Sequence, residues 1–131
     1  MASGRRDYTW GFLSETGTEG RYGFTFTPAF TDALDPFEKK LVYNYQVPSG
    51  KRLVVNTVWV SCELRDVNRL YVYLKGQIVL DIYFADHFCF NFSDKNPPIL
   101  TEGETVLIRC TNLVDLISQF SGGIIGNLET L

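Results

Sequence analysis

Residues 69–84 read RLYVYLKGQIVLDIYF, and two alternating runs meet within them at Lys75-Gly76. In each run, every second position is apolar, and this period of two is typical of a β-strand with one buried face. The turn-forming Gly76 separates the runs. The stretch therefore predicts an antiparallel β-hairpin that places one face against a core.

The apolar rows also predict the register of the hairpin. A two-residue loop, Lys75-Gly76, sets each apolar row beside the mixed row of the other strand. We therefore predict a three-residue loop over residues 74–76, a type I turn followed by Gly76 in the left-handed conformation as a bulge. In this register the apolar pairs are Val72 with Ile78 and Leu70 with Leu80.

The same register predicts a tyrosine-bearing outer face on the hairpin, with Arg69 opposite Asp81 and Tyr71 opposite Val79. Exposed aromatic patches mark interfaces, and they also stack on sugar rings. A third reading is that the N-terminal arm or a loop of the same chain covers the face. The candidate interface residues are Arg69, Tyr71, Tyr73, Val79, Asp81 and Tyr83.

The rest of the chain repeats this alternating pattern between turn signals. Turns are expected at residues 48–50, 96–98 and 101–104. The pattern predicts an all-β fold of seven or eight antiparallel strands, arranged as a β-sandwich or a small barrel. The glycines of residues 117–128 predict a bulged strand at a sheet corner.

We expect a single domain in which residues 1–40 form an irregular N-terminal arm with short strands and residues 41–131 form the sandwich. Glycines interrupt the two short aromatic runs of the arm. Asp35, which precedes Pro36, is a candidate cap for one helical turn.

Composition narrows the classes of partner. The net charge is −3 and no block of lysine or arginine occurs, which argues against binding to nucleic acid. No hydrophobic signal core follows the N-terminus and no stretch reaches the length of a membrane span, so we expect no signal peptide and no membrane association. The expected location is the cytoplasm.

Three cysteines, Cys62, Cys89 and Cys110, lie far apart, each in an apolar run. This spacing predicts neither a disulfide framework nor a zinc site, and buried reduced thiols are expected.

Candidate catalytic groups are sparse. His87 is the single histidine, so a Ser-His-Asp or Cys-His arrangement would have to use it. The least favoured hypothesis is an enzyme that combines His87 with Asp81 or Asp86. The run Asp94-Lys95-Asn96 lacks the glycine and glutamate of a calcium loop. We therefore predict no catalytic residues, no metal and no cofactor.

Four segments, taken in order along the chain, make up one succession of strands and turns: residues 47–62, 70–80, 100–112 and 120–126. Over about residues 41–128 this succession resembles that of small jelly-roll structural proteins of phages and archaeal viruses, including head-decoration and accessory virion components. Its motifs are a Pro-x-Gly-Lys turn at residues 48–51 and a Glu-Gly-Glu-Thr turn at residues 102–105, which also occur in carbohydrate-binding modules. The resemblance implies an antiparallel β-sandwich of jelly-roll type that forms homo-oligomers without catalytic residues, and a location in the virion if the protein is viral. It transfers no site residue.

Two hypotheses of function follow. The first is a non-enzymatic structural protein that assembles into homo-oligomers, expected to be trimers or larger, with other virion proteins as further partners. The second is a carbohydrate-binding module in which Tyr71, Tyr73, Tyr83 or Trp10 stacks on sugar rings of a glycan.

Overall fold

The computed structural model describes residues 25–26, 30–93 and 95–131, and within these ranges all regular structure is β-strand. The ten strands are β1 Thr25–Phe26, β2 Phe30–Leu34, β3 Lys39–Gln46, β4 Lys51–Cys62, β5 Val67–Leu74, β6 Gln77–Ala85, β7 His87–Asn91, β8 Ile99–Thr101, β9 Thr105–Thr111 and β10 Ser118–Thr130. They form two antiparallel sheets. The predicted all-β sandwich is confirmed.

We name the larger sheet A and the smaller sheet B. In sheet A, β10 pairs with β4; β1 and β2 pair with the far side of β10, and β7 and β8 with the far side of β4. Sheet B has the order β3-β9-β5-β6. The chain passes to the other sheet at each step from β2 to β5, and the hairpin β5–β6 stays within sheet B.

The core lies between the two sheets and consists mainly of Val, Leu and Ile side chains. Residues of β5 and β9 are buried at every second position, as the alternating sequence requires. The rings of Phe84 and Phe120 meet edge to face with centroids 6.5 Å apart. Each fully buried side chain of this size contributes about 1.5–3 kcal/mol to folding.

The last strand carries the predicted bulge. The register of β10 against β4 shifts between Ile125 and Gly126. A Cβ atom at Gly126 would stand 2.3 Å from the carbonyl oxygen of Val54. Only glycine allows the two backbones to approach this closely.

The predicted register of the hairpin is wrong. Leu74 lies opposite Gln77, so the loop has two residues, Lys75 and Gly76, with φ of 56° and 78°. These positive angles are what a type I′ hairpin turn requires. The apolar rows still align because the register shifts beyond Tyr73 and leaves Val79 as an unpaired bulge residue.

The bulge changes every predicted cross-strand pair. Arg69 lies opposite Tyr83 and Tyr71 opposite Asp81. Inward, Val72 faces Leu80 and Leu70 faces Ile82. A two-residue turn with a bulge at Val79 aligns the apolar rows as well as a three-residue loop does. The alternation of apolar residues therefore cannot distinguish these two loops.

Residues 30–40 belong to the sandwich and not to an arm. β2 pairs with β10, Leu34 is fully buried in the core, and β3 begins at Lys39. Strands β1, β2 and the three-residue β8 raise the number of strands to ten, above the expected seven or eight. The remainder of the arm predicted for residues 1–40 lies outside the described residues, apart from β1.

The proposed helical turn at Asp35 is a β-turn. The amide of Glu38 donates to the carbonyl oxygen of Asp35 at 3.0 Å, and Phe37 has φ of 63°. Proline at the second position and positive φ at the third are features of a type II turn.

Candidate functional site

The outer surface of sheet B carries most of the predicted interface residues. We call the tyrosine face the set formed by side chains of four neighbouring strands: Lys39, Arg69, Tyr71, Tyr73, Ile78, Asp81, Tyr83 and Arg109. Strand pairing brings these residues together, because Arg69, Tyr71 and Tyr73 of the central strand β5 lie between β6 and β9. Five of the six candidate interface residues therefore belong to the tyrosine face, and the sixth, Val79, is the exposed bulge residue next to Ile78 on β6.

Arg69 forms hydrogen bonds to two other residues of the tyrosine face. Its Nε and Nη2 both donate to Oδ1 of Asp81, at 2.9 and 2.7 Å, and its Nη1 donates to the hydroxyl of Tyr83 at 3.0 Å. The hydrogen bonds to Asp81 raise the pKa of the Arg69 guanidinium, which stays charged. The predicted ion pair exists, although its partners lie diagonally across the strands.

Cations stand over the tyrosine rings. The Lys39 Nζ lies 4.0 Å from the ring centroid of Tyr71, and the Arg69 guanidinium lies 4.7 Å from that of Tyr83. Arg109 lies 5.9 Å from the ring centroid of Tyr73. Such pairs combine electrostatic attraction to the ring with hydrophobic contact of the side-chain stem.

The apolar part of the surface is concentrated on β6. Tyr83 is 60% exposed, Ile78 49% and Val79 43%. Ile78, predicted to face the core, lies opposite Tyr73 on the outer surface because of the bulge at Val79.

Sequence reasoning missed two cations of the tyrosine face, Lys39 and Arg109. Both lie on strands that are distant in sequence from the hairpin, so only the strand order could place them. The alternation in β9 indicates that Leu107, Arg109 and Thr111 point outward. It does not indicate which strands lie beside β9 in the sheet.

The candidate catalytic residues remain separate. Nδ1 of His87 lies 3.4 Å from Oδ2 of Asp86, and the His87 side chain is 77% exposed. Asp81 belongs to the Arg69 network. Among the described residues, no group of three or more His, Cys, Asp or Glu side chains is arranged to hold a metal ion. None of the described residues forms a helix long and apolar enough to cross a membrane.

Two of the three thiols are buried, as predicted, but Cys89 is exposed. Cys89 lies on the edge strand β7 opposite Trp59 of β4. Its neighbours Phe88 and Phe90 take the two positions that face the other sheet, so alternation turns Cys89 outward. Burial raises the pKa of the Cys62 and Cys110 thiols.

A second exposed apolar cluster lies at the end of the sandwich where three loops meet. The buried amide of Asn112 donates to the carbonyl oxygens of Leu34 and Leu116, and Oδ1 of buried Asn68 accepts from the amide of Leu113. The exposed apolar residues here are Phe37, Leu113, Leu116 and Ile117 on the loops and Val67 at the start of β5. The sequence signal was the apolar pairs Leu113-Val114 and Leu116-Ile117 beyond the end of a strand.

Comparison with known proteins identifies no family. No family model matches the chain, and no curated protein matches it. Among solved structures, it is similar to a solution NMR structure of a de novo designed double-stranded β-helix, at 16% identity with a TM-score of 0.35. That match covers 75% of this chain and 99% of the designed one.

Proposed function

We propose that this protein is a non-enzymatic assembly component whose copies associate into homo-oligomers through sheet B. The observation that carries the proposal is the exposed apolar strip of β6, formed by Ile78, Val79 and Tyr83, beside the fixed charges of Arg69 and Asp81. Apolar residues rimmed by ordered charges are typical of protein interfaces.

The ring contacts favour this proposal over the carbohydrate-binding alternative. A sugar stacks on the open face of an aromatic ring. Lys39 lies over Tyr71, and Arg69 lies over Tyr83, so a sugar would have to displace a cation. Trp10, the other aromatic residue considered for stacking, lies outside the described residues.

The non-enzymatic assignment rests on the chemistry of the candidate groups. His87 is exposed on an edge strand and lies near a single carboxylate, Asp86. The Asp81 carboxylate accepts two hydrogen bonds from Arg69 and is held in that network, away from His87.

We also propose that the sandwich is a jelly roll and that the protein is a virion decoration or accessory component. The support is the order of the strands, β2-β10-β4-β7 in one sheet and β3-β9-β5-β6 in the other, together with the turns at residues 48–51 and 102–105. Apart from the two short strands β1 and β8 of sheet A, the strands number eight in two sheets of four, as in a jelly roll.

Light scattering on exposed-residue variants tests the assembly proposal. The full chain should have a mass of more than one copy, and a double variant, Val79→Ser with Tyr83→Ser, should shift toward one copy. Ile99→Ser is the matched control, because Ile99 is 40% exposed but lies on β8 in the other sheet. A full chain that stays at the mass of one copy at high concentration contradicts the proposal.

A further inference from the structure

Strand β6 is an open edge of sheet B. It pairs with β5 on one side, and no described strand pairs with its other side. Its nine residues, QIVLDIYFA, contain no proline and no lysine, and Asp81 is its one charge. Natural proteins usually protect long apolar edges with lysine, proline or short length.

The other outer strands have this protection. The opposite edge of sheet B, β3, begins with Lys39-Lys40. In sheet A, the strands beyond the central pair, β1, β2, β7 and β8, have five residues or fewer. The exposed backbone of β6 is therefore the place in the described fold where another strand can add.

We propose that β6 pairs antiparallel with β6 of a second copy of this chain, across a two-fold axis at Ile82. This inference rests on the proposed assembly function and names the contact through which it occurs. A two-fold contact is isologous, so the same residues serve on both copies.

The side chains select the register. The bulge at Val79 interrupts the strand, which leaves residues 80–85 as the regular part. An axis at Asp81 would set two carboxylates directly opposite each other, which is destabilising. An axis at Tyr83 would set Leu80 opposite Asp86, which lies beyond the end of β6 and has φ of 65°. The axis at Ile82 pairs Leu80 with Phe84 on the inner side and Asp81 with Tyr83 on the outer side.

The hydrogen-bonding groups of the outer side complement each other in this register. Both bonds from Arg69 to Asp81 end on Oδ1, so Oδ2 has no hydrogen-bond partner among the described residues. The Tyr83 hydroxyl accepts a bond from Arg69 and keeps its own proton to donate. Across the axis, Oδ2 of Asp81, which lacks a donor, lies opposite the Tyr83 hydroxyl of the second copy, which lacks an acceptor. A hydrogen bond from a hydroxyl to a charged carboxylate is strong.

The pairing would create one continuous eight-stranded sheet from the two copies of sheet B. Side chains directly opposite in an antiparallel pair lie on the same face. The two tyrosine faces would thus form one surface, and the assembly would contain an even number of copies, not the trimer expected from the sequence.

Single-cysteine crosslinking tests the register. In a Cys89→Ser background, which removes the one exposed native thiol, we would make Asp81→Cys, Ile82→Cys and Tyr83→Cys separately and oxidise each with copper phenanthroline. Only a residue on a two-fold axis faces itself. Ile82→Cys should therefore give most of the covalent dimer on a non-reducing gel, and dimer formed chiefly by Asp81→Cys or Tyr83→Cys would overturn the register.

A lysine variant tests the edge itself without relying on Ile82. Asp81→Lys places a lysine on the exposed edge and should halve the mass seen by light scattering. His87→Lys is the control on the edge strand β7 and should leave the mass unchanged. Association that survives Asp81→Lys overturns the edge pairing while the assembly proposal stands. A full chain with the mass of one copy overturns both.

Discussion

Phe37 combines two unfavourable features at the scale of a single residue. It has a left-handed backbone, which costs a non-glycine residue about 1–2 kcal/mol, and its side chain is 64% exposed. The turn from Asp35 to Glu38 requires this conformation. Phe37 is therefore a position at which removal of the side chain should relieve backbone strain.

We predict that Phe37→Gly stabilises the fold by about 0.5–1 kcal/mol, because removal of the Cβ strain outweighs the greater chain entropy that glycine adds to the unfolded state. Urea denaturation followed by tryptophan fluorescence measures the change. A loss of stability beyond about 1 kcal/mol would show that the ring packs against the chain more than its exposure indicates.

Glu104 gives a prediction of pH dependence. The backbone amide of Thr101 donates to its Oε1 at 2.7 Å and the Thr101 hydroxyl at 3.0 Å, and these bonds lower the pKa of Glu104 from its ordinary value of 4.5. Because the pKa is lower in the folded state, the carboxylate stabilises the fold above pH 4.5, and this contribution is lost as the pH falls through the folded-state pKa.

Substitution with glutamine should remove this dependence. The difference in melting temperature between the parent and Glu104→Gln should be constant above about pH 5 and should shrink at lower pH. Thermal denaturation followed by circular dichroism over a pH series measures it. Melting curves that fall in parallel for the two proteins would contradict the assigned hydrogen bonds.

The β5–β6 hairpin shows at the scale of one element what alternation can and cannot predict. The strands and their inward rows could be predicted, because one face must be apolar. The loop length could not, because Lys75-Gly76 with a bulge at Val79 and a three-residue loop both align those rows. The position of Ile78 on the outer surface follows from the bulge, so it was predicted wrongly with it.

The type I′ turn predicts opposite effects for its two positions. Lys75→Asn should stabilise the protein, because asparagine tolerates positive φ better than lysine. Gly76→Ala should destabilise it by about 1 kcal/mol, because φ at Gly76 is 78°. Chemical denaturation of both variants measures the effects. If Gly76→Ala is neutral while Lys75→Asn is destabilising, the turn is not of this type.

At the scale of the whole molecule, the sheets divide the three thiols into two environments. Cys62 and Cys110 are buried between the sheets, where a raised pKa keeps them protonated, while Cys89 is exposed on β7. The thiolate is the reactive form. Sequence reasoning placed all three in strands but could not show that β7 is an edge.

We predict that a thiol reagent modifies Cys89 alone in the native protein and all three cysteines after unfolding in urea. Intact mass spectrometry counts the modified thiols, and Cys89→Ser should remain unmodified in the native state. Rapid native modification of Cys62 or Cys110 would mean that the sandwich opens more readily than its packed core indicates.

The tyrosine face also belongs to this scale, because four strands contribute to it. The hairpin residues could be predicted from sequence, whereas Lys39 and Arg109 become neighbours only through the order β3-β9-β5-β6. No local pattern contains that information. The same order leaves β6 at an open edge, which connects the fold to the assembly proposal.

Sedimentation equilibrium of the full chain over a wide range of concentrations tests the central claim most directly, namely that copies associate through sheet B. The proposed pairing predicts a mass of two copies, or a larger even number, that falls toward one copy on dilution. A mass of one copy at every concentration would contradict the assembly proposal, and a mass of three copies would contradict the two-fold contact.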